Sequence, residues 1–373
     1  MNVEASVLER YSQGAEEAQA SLCCAVDYDH DLLKLLPEEI IQKDYGCGDP
    51  SRFVREGDVV LDLGSGSGKI CYMAAQIVGE HGRVIGMDMN DDMLTLARKY
   101  QPEMAAKLGG DRVSFVKGYI QNLAIDLDAS DRYLTEFPVM NSVDMSMYKS
   151  WQNKQRTSRP LIANDSVDLV VSNCVLNLVN DSDKQQLVNE IFRVTKPGGR
   201  VAISDIVADE KVPDHLKSDP TLWSGCVSGS LQEVEFVKAF VDAGFQAVEL
   251  EKWEIEPWQI VEGIEFRSVT ITAIKGESTD CLDKGHAVIY RGPFSQVHDD
   301  DGHYFPRGER IAVCERTFHL LMAGSYGDNF VGIKPAIEQS GKSGCMPAGL
   351  VRPARETKGG TFVGQKAASS CCS

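Results

Sequence analysis

The sequence predicts an α/β fold, in which a doubly wound, mostly parallel sheet is followed by a smaller C-terminal α+β domain with antiparallel strands. Short apolar runs alternate with helical segments as far as about Gly276, which is typical of a parallel sheet covered on both faces. Beyond Gly276, shorter alternating runs are separated by turn residues such as Gly292-Pro293, which is typical of antiparallel strands.

The elements of the sheet follow one another in a regular order. A short N-terminal helix is expected up to about Ala20. The predicted strands, each rich in apolar and β-branched residues, are Val59–Leu63, Arg83–Met87, Val113–Lys117, Val167–Ser172, Arg200–Asp205, Ala247–Ile255 and Ser268–Lys275. The predicted helices between them are Lys69–Val78, Asp91–Lys99, Asp183–Val194 and Val234–Ala243. The last two strands should extend the sheet at its far edge, and Ala287–Tyr290 and Arg310–Glu315 should be strands of the second domain.

A chain of 373 residues is too long for one core, so the sequence is divided into four parts. They are an N-terminal helical segment with a cysteine loop (1–40), a main domain (41–276), a C-terminal domain (277–341) and a tail (342–373). The tail is rich in Gly, Ser and Ala and is expected to be disordered. Residues from about 122 to 165 show no clear period, and we interpret them as a mobile surface insertion.

Composition restricts the classes of partner. The net charge of −17 and the isoelectric point near 4.9 argue against nucleic acid, because phosphate contacts need a basic face. No run of about 18 apolar residues and no basic, apolar leader after Met1 is present, so neither a membrane span nor secretion is expected. We therefore expect a cytoplasmic monomer whose eleven cysteines are reduced thiols.

A cofactor motif follows the first strand. Three alternating glycines, Gly64, Gly66 and Gly68, let the backbone turn tightly beside a ligand at the start of the next helix. NAD and S-adenosylmethionine (SAM) are the two alternatives. The dinucleotide fingerprint is G-x-G-x-x-G and must accept a pyrophosphate, whereas the spacing here is G-x-G-x-G and Asp62 would repel phosphate. Since an acid can help to hold the ammonium group of SAM, the motif favours SAM on a Rossmann-like sheet.

Other candidate site residues fall where further strands end. Asp88 follows the second strand, 20 residues after Gly68, where a carboxylate should bind both ribose hydroxyls. Met89 would then lie under the adenine. Ile120 and Asn173 come at the ends of two further strands, and ligands of such sheets sit beyond these carboxyl ends.

Three cysteines from separate loops are expected to converge above the cofactor. Cys174 directly follows the fourth strand, and Cys47 lies just before the first. Cys226 lies in the loop Trp223–Val227 after the fifth strand. A cysteine is usually a small buried hydrophobe, and we accept that interpretation for Cys71. Cys281, Cys314 and Cys345 carry no pattern and are expected to be packing or surface residues.

A cluster of thiolates selects soft, thiophilic acceptors. Structural zinc needs four ligands, typically in close C-x2-4-C pairs, and the sequence lacks that spacing. Trivalent arsenic has three bonding positions and one lone pair, which suits three thiols. The lone pair can attack a sulfonium methyl directly, so the absence of an obvious catalytic His or Glu is no obstacle.

Five segments carry a resemblance to a known family. They are Tyr45–Gly48, Leu61–Gly68, Gly118–Ile120, Val171–Leu178 and Lys196–Gly199. Together they resemble the arsenite (arsenic(III)) SAM methyltransferases of algae and animals, well over residues from about 40 to 275 and loosely in the C-terminal domain. The Ser-Asn-Cys-Val-Leu-Asn-Leu run combined with a Trp-x-Gly-Cys loop is specific to that family, whereas most SAM enzymes share the glycine motif.

The resemblance implies roles for the candidate residues. Cys174 and Cys226 would hold the arsenic, and Cys47 would supply a third thiol. An N-terminal cysteine, either Cys23 or Cys24, would form a disulfide with Cys47 during turnover. The residues expected to bind SAM, from the motifs and the resemblance together, are Tyr45, Asp62, Gly64, Ser65, Gly66, Gly68, Asp88, Met89, Ile120, Gln121 and Asn173.

The resulting hypothesis is an enzyme that transfers methyl groups from SAM to thiolate-bound arsenic. Its substrates would be arsenite and methylarsenite as thiol conjugates, and an external thiol, glutathione or thioredoxin, would restore the cysteines. The alternatives are a non-catalytic arsenic- or metal-sequestering protein on the same scaffold and a SAM methyltransferase for another small molecule, such as a sterol or a quinone. The tail cysteines Cys371 and Cys372 are expected to be dispensable.

Overall fold

The computed structural model describes residues 3–17, 19, 26–277, 280–323, 326–336, 341–344 and 346–357. The chain divides into two compact units, Met1–Lys275 and Gly276–Ser373. The first unit contains one large sheet, and the described part of the second contains small antiparallel sheets.

The sheet of the first unit has nine strands within the described residues. They are β1 (Val59–Leu63), β2 (Arg83–Asp88), β3 (Val113–Lys117), β4 (Val167–Asn173), β5 (Thr195–Ala208), β6 (Leu231–Gln232), β7 (Phe245–Trp253), β8 (Gln259–Val261) and β9 (Ile264–Lys275). The order is β3-β2-β1-β4-β5-β9-β7, with β6 beside β5 and β8 beside β9. Neighbours from β3 to β5 are parallel, whereas β9 is antiparallel to β5 and β7. The predicted mostly parallel sheet is confirmed.

The first unit has twelve α-helices within the described residues, and some of them pack on each face of the sheet. They are α1 (Val3–Glu16), α2 (His30–Leu33), α3 (Glu38–Gln42), α4 (Lys69–Ile77), α5 (Asp91–Lys99), α6 (Gln101–Leu108), α7 (Leu127–Glu136), α8 (Ser142–Ser158), α9 (Asp181–Val194), α10 (Asp214–Lys217), α11 (Pro220–Ser224) and α12 (Glu233–Asp242). Side chains alternate along a strand, so Val60 packs in a core with α4 and α5, and its neighbour Leu61 packs in another core with α9 and α12. The two cores make the fold doubly wound.

The turn between β1 and α4 depends on glycine. Gly68 is the N-cap of α4 and has a φ of 86°, in the left-handed region that favours glycine. A Cβ at this position would lie 2.8 Å from the Phe115 ring of β3. Gly68 therefore brings the first turn of α4 close to the sheet.

The insertion contains regular structure that the sequence pattern does not reveal. α7 and α8 fill much of residues 122–165, capped by the side chains of Asp126 and Asn141. Aromatic side chains join the two helices, with Tyr133 stacked on Trp151 at 4.8 Å between ring centroids. α8 has no buried residue along its described length, so it lacks the apolar stripe from which a helical period is recognised.

The second unit is antiparallel, as predicted. Its elements are β10 (Leu282–Asp283), β11 (Ala287–Tyr290), β12 (Gln296–His298), β13 (Tyr304–Pro306), β14 (Arg310–Ala312), α13 (Glu315–Leu321), β15 (Phe330–Ile333) and β16 (Lys342–Ser343). The strand prediction over Arg310–Glu315 is wrong at its end, because Cys314 caps α13 and its sulfur accepts a hydrogen bond from the Thr317 amide.

The prediction of a disordered tail from residue 342 is wrong for residues 346–357. Val351 forms a β-bridge with Ile311, and Arg352 is buried. The Arg352 guanidinium donates hydrogen bonds to the Asp283 carboxylate at 2.6 Å and to the His286 carbonyl at 3.1 Å. Residues 358–373, including Cys371 and Cys372, lie outside the described residues.

None of the helices in the described ranges is long and apolar enough to cross a membrane.

Arg352→Ala should destabilise the second unit by about 2–4 kcal/mol, because it leaves the half-buried Asp283 carboxylate without its cation. Hydrogen exchange of the β11 and β15 amides should become faster, while exchange in β1 and β4 should not change. Arg355→Ala, which removes an exposed arginine three residues away, is the matched control. Equal exchange rates in the two variants would contradict a stabilising role for Arg352.

Candidate functional site

A cavity opens beyond the carboxyl ends of β1, β2 and β4, with about 1010 Å³ of empty space, part of it open to solvent. This is the edge where open α/β sheets bind ligands. The predicted site residues that line it are Tyr45, Asp62, Gly64, Ser65, Gly66, Asp88, Met89, Ile120, Gln121, Asn173 and Cys174. Gly68, Cys47 and Cys226 were predicted in the site and are not among its lining residues.

Asp88 joins the end of β2 to the glycine turn. One oxygen of its half-buried carboxylate accepts a hydrogen bond from the Gly66 amide, and the other accepts one from the Asn90 amide, both at 2.9 Å. Burial raises the pKa of Asp88, and the backbone hydrogen bonds oppose that rise. The carboxylate is thus fixed at the cavity wall before any ligand binds.

Asp62 is a second acid of the cavity, and its side chain is buried. Burial raises its pKa to about 7, and a hydrogen bond that the Cys71 thiol donates at 3.2 Å lowers it in part. The interpretation of Cys71 as a buried core residue agrees with its packing, since Cys71 belongs to the core beneath α4. In the lining of the same cavity, the buried hydroxyl of Ser65 has no hydrogen-bond partner among the described residues.

Asn173 links the end of β4 to the loop that carries Cys47. Its side-chain oxygen accepts hydrogen bonds from the Cys47 amide at 2.8 Å and the Gly48 amide at 2.9 Å. Its side-chain nitrogen donates to the Gly48 carbonyl at 2.8 Å. Gly46 gives this close approach, because a Cβ there would lie 2.0 Å from the Asn173 side chain.

The three candidate arsenic ligands are buried in one cluster. Cys47 and Cys174 form a disulfide, with 5.8 Å between their Cα atoms, and the Cys226 thiol donates a hydrogen bond to the Cys174 carbonyl at 3.1 Å. The expectation that all cysteines are reduced is therefore wrong for Cys47 and Cys174. The expected partners of Cys47, Cys23 and Cys24, lie outside the described residues, and the structure pairs Cys47 with Cys174 because Asn173 holds the two segments together.

In this disulfide form, the described residues contain no group of three or more His, Cys, Asp or Glu side chains arranged to hold a metal ion. Two of the three sulfur atoms in the cluster are bonded to each other. Three-sulfur coordination would therefore require reduction of the disulfide first.

Cys174 and Cys226 both have left-handed backbones, with φ values of 59° and 60°. This conformation is costly for a residue with a Cβ and persists only where neighbouring structure imposes it. Here the Cys174 amide donates to the Ser204 carbonyl at 2.8 Å, and the Cys226 amide donates to the Trp223 carbonyl at 3.0 Å. Strained backbones of this kind concentrate at functional sites.

Two polar residues that the sequence did not point to position these cysteines. Asp205, whose pKa is raised to about 6 by burial, accepts hydrogen bonds from the Leu176 amide at 2.8 Å and the Asn177 amide at 3.3 Å, in the turn after Cys174. The Asn177 side chain donates to the carbonyls of Ile206 at 2.6 Å and Cys226 at 3.3 Å. The sequence does contain a signal for both residues, because a polar side chain inside an apolar run is unusual and indicates a specific role.

Known proteins resemble the chain over most of its length. The model of a methyltransferase domain matches residues 55–244, and that of a domain of unknown function matches residues 277–362. An arsenite methyltransferase of Aquipseudomonas alcaligenes is 31% identical over 334 residues, which are 85% of this chain and 86% of that protein. The human arsenite methyltransferase is 30% identical over 84% of this chain and 77% of its own length.

Among solved structures, an arsenic(III) S-adenosylmethionine methyltransferase from Chlamydomonas reinhardtii is similar with a TM-score of 0.54. It is 27% identical, and the match covers 88% of this chain and all of that one. The identity with the bacterial and human proteins extends over most of both chains. Of the five segments expected to carry the resemblance, four contribute residues to the cavity lining, and Lys196–Gly199 lies at the start of β5. The chain belongs to the arsenite methyltransferase family.

Proposed function

We propose that this protein transfers methyl groups from SAM to trivalent arsenic held by cysteine thiolates. The observation that carries the proposal is the position of Cys174, which lines the cavity and also belongs to the buried cluster with Cys47 and Cys226. A methyl donor in the cavity and a metalloid on these sulfurs would therefore lie next to each other, on the two sides of Cys174. The relatives named above support the assignment.

The cavity residues fit SAM. The Asp88 carboxylate offers acceptors for the ribose hydroxyls, the Asp62 carboxylate offers a counter-charge for the ammonium group, and the unpartnered Ser65 hydroxyl is available to a polar ligand. Bound SAM supplies a methyl group on a positively charged sulfur, which the lone pair of trivalent arsenic can attack without a general base. The acidic wall of the cavity favours this cationic cofactor over a pyrophosphate.

The cysteines would bind the substrate by exchange. Each thiol that binds arsenite gives up its proton, which leaves with an arsenic-bound hydroxide as water, and an arsenic–sulfur bond replaces the arsenic–oxygen bond. Methylation takes arsenic from the trivalent to the pentavalent state. Two thiols that join as a disulfide return the two electrons. The resemblance implies Cys47 with Cys23 or Cys24 for this pair, and the disulfide that Cys47 forms with Cys174 supports Cys47 as one member of it. An external thiol, glutathione or thioredoxin, would then reduce the disulfide.

We further propose that the enzyme acts as a cytoplasmic monomer, since the cytoplasm keeps thiols reduced. A sequestering protein would have no need of the cofactor residues that surround Asp88 and Ser65. A methyltransferase for a sterol or quinone would have no need of three buried cysteines beside the cavity. Neither alternative is favoured.

The purified, reduced protein should convert arsenite and methylarsenite to methylated products with SAM and a thiol reductant, with one S-adenosylhomocysteine formed per methyl group. Cys174→Ser and Cys226→Ser should each reduce both activities to background, because the arsenic loses a soft ligand. Arsenic speciation by chromatography and mass spectrometry measures the products. Cys281→Ser, in the second unit, is the control and should keep its activity. If the Cys226→Ser enzyme were active, the proposal that Cys226 binds the substrate would be wrong.

Cys47→Ser should distinguish the two substrates. Arsenite offers three exchangeable positions and can use three protein thiols, whereas one position of methylarsenite is blocked by carbon. The variant should therefore lose most of its arsenite methylation and keep substantial methylarsenite methylation. The double variant Cys23→Ser/Cys24→Ser should behave in the same way, because it removes the disulfide partner that the resemblance implies for Cys47. Parallel rates under reducing conditions, with a melting curve for each variant, provide the test. Equal losses on both substrates would refute the three-thiol model.

SAM affinity should rise with pH as Asp62 ionises. The pKa of Asp62 is about 7, so the carboxyl is mostly neutral at pH 6 and mostly charged at pH 7.5, where it can attract the ammonium group. Calorimetry should show an increase of up to about tenfold over this range, since only the ionised form gains the attraction. Asp62→Asn should flatten the profile. Asp88 remains in that variant, so an unchanged slope would assign the effect to another group.

A further inference from the structure

Two strands of the sheet present buried hydroxyl groups near the loop that carries Cys47. Ser204 of β5 and Thr270 of β9 are paired in the sheet, and their hydroxyls hydrogen-bond to each other at 2.8 Å. Ser268 lies two residues before Thr270, so both side chains point to the same face of β9. All three residues are buried, although serine and threonine are mostly exposed in folded proteins. The buried hydroxyls therefore indicate polar neighbours on this part of the sheet.

The loop that carries Cys47 lies directly on these hydroxyls. A Cβ at Gly48 would overlap the Ser204 side chain, so glycine allows the loop to approach the sheet closely. The Ser268 hydroxyl donates a hydrogen bond to the Cys47 carbonyl at 2.7 Å. A carbonyl oxygen has no hydrogen to give, which fixes the serine as the donor. Ser268 thus ties the loop to β9.

Cys47 is held from two sides. Its amide donates to the Asn173 side chain at the end of β4, and its carbonyl accepts from Ser268 on β9. These two hydrogen bonds fix the two peptide groups that flank the Cys47 Cα. Together they set the direction in which the Cys47 side chain leaves the backbone.

The two hydrogen bonds matter most when the disulfide is reduced. In the disulfide form, the covalent bond to Cys174 holds the Cys47 sulfur in place. After reduction, the position of that sulfur depends on the loop. Cys174 has separate support, because its amide donates to the Ser204 carbonyl at 2.8 Å. Loss of the Ser268 hydrogen bond would therefore affect Cys47 more than Cys174.

We propose that Ser268 is a positioning residue that keeps Cys47 beside Cys174 when the disulfide between them is reduced. Through Cys47, Ser268 determines how well the enzyme accepts arsenite, the substrate proposed to use three protein thiols. The first step stands on the contacts alone, whereas the second rests on the proposed function.

Exchange of the disulfide with glutathione tests the position of Cys47 without arsenic. Two protein thiols and one glutathione disulfide give the protein disulfide and two molecules of glutathione, so the balance depends on how closely the reduced protein holds its thiols. Ser268→Ala should shift this equilibrium toward the dithiol by about three- to tenfold, the factor that one neutral hydrogen bond supplies. Alkylation and mass spectrometry of the Cys47 and Cys174 peptides give the oxidised fraction. The Cys23→Ser/Cys24→Ser background removes the other proposed partners of Cys47.

Matched variants control for the loss of a buried hydroxyl. Thr195→Val removes a hydroxyl that donates to the Ile191 carbonyl, also at 2.7 Å, at the start of β5, and it should leave the exchange equilibrium unchanged. Ser268→Thr keeps the hydroxyl and should stay close to the wild-type value.

The melting temperature and SAM affinity of Ser268→Ala show whether the fold is intact. If it is not, Ser268→Val, which also lacks the donor and places a β-branched residue in the strand, is measured in the same way. An exchange equilibrium equal to that of the wild type, in a folded variant without the hydroxyl, overturns the inference.

The rates on the two substrates separate the inference from the proposed function. They are measured under reducing conditions in Ser268→Ala with Cys23 and Cys24 present. A shifted exchange equilibrium, with arsenite methylation that falls several-fold more than methylarsenite methylation, supports both. A shifted equilibrium with an unchanged ratio of the two rates supports Ser268 as the residue that holds Cys47, and it contradicts Cys47 as a thiol that only arsenite uses.

Discussion

The side chain of Asn173 is the contact on which the candidate site depends. Its amide makes three hydrogen bonds to the backbone of Cys47 and Gly48 and so fixes the loop before β1 to the end of β4. Cys174 is the next residue, and its sulfur consequently meets that of Cys47. An amide that is partly withdrawn from water, like that of Asn173, is costly unless its polar atoms are satisfied, so the three bonds favour one arrangement of the loop. The cavity and the cysteine cluster share a boundary because of this constraint.

Two carboxylates, the half-buried Asp88 and the buried Asp205, order the loops around the cavity and the cysteine cluster. Asp88 binds the glycine turn, and Asp205 binds the turn that follows Cys174. Burial raises the pKa of both, which means that the protein accepts a desolvation cost at each position. Hydrogen bonds from backbone amides offset part of this cost, and they also fix the orientation of those amides in the loops. The candidate site is therefore ordered largely by polar contacts, while the apolar cores lie beneath it on the two faces of the sheet.

The sequence predicts an element well when the signal for it is local, and poorly when the element depends on contacts with distant residues. The strands β1 and β3 and the helix α5 lie close to their predicted bounds, because apolar runs and capping residues are local signals. The insertion forms α7 and α8 without a recognisable period, because contacts between aromatic side chains replace a buried stripe. The segment around Arg352 has the composition of a tail, and its order comes from an ion pair with Asp283, 69 residues earlier in the chain.

The sequence by itself indicated the strands β1 to β5, a glycine turn that suits SAM, and three soft side chains, of which Cys174 and Cys226 follow strands and Cys47 precedes the first. The tertiary structure decided which of these groups meet. Cys47 and Cys174 are 127 residues apart and come together only because β1 and β4 are neighbours in the sheet. Tertiary packing likewise decides the left-handed backbones of Cys174 and Cys226 and the contact of Tyr11 with Cys226. A local pattern fixes the conformation of a short segment, whereas the distance between remote side chains depends on the order in which strands and helices pack.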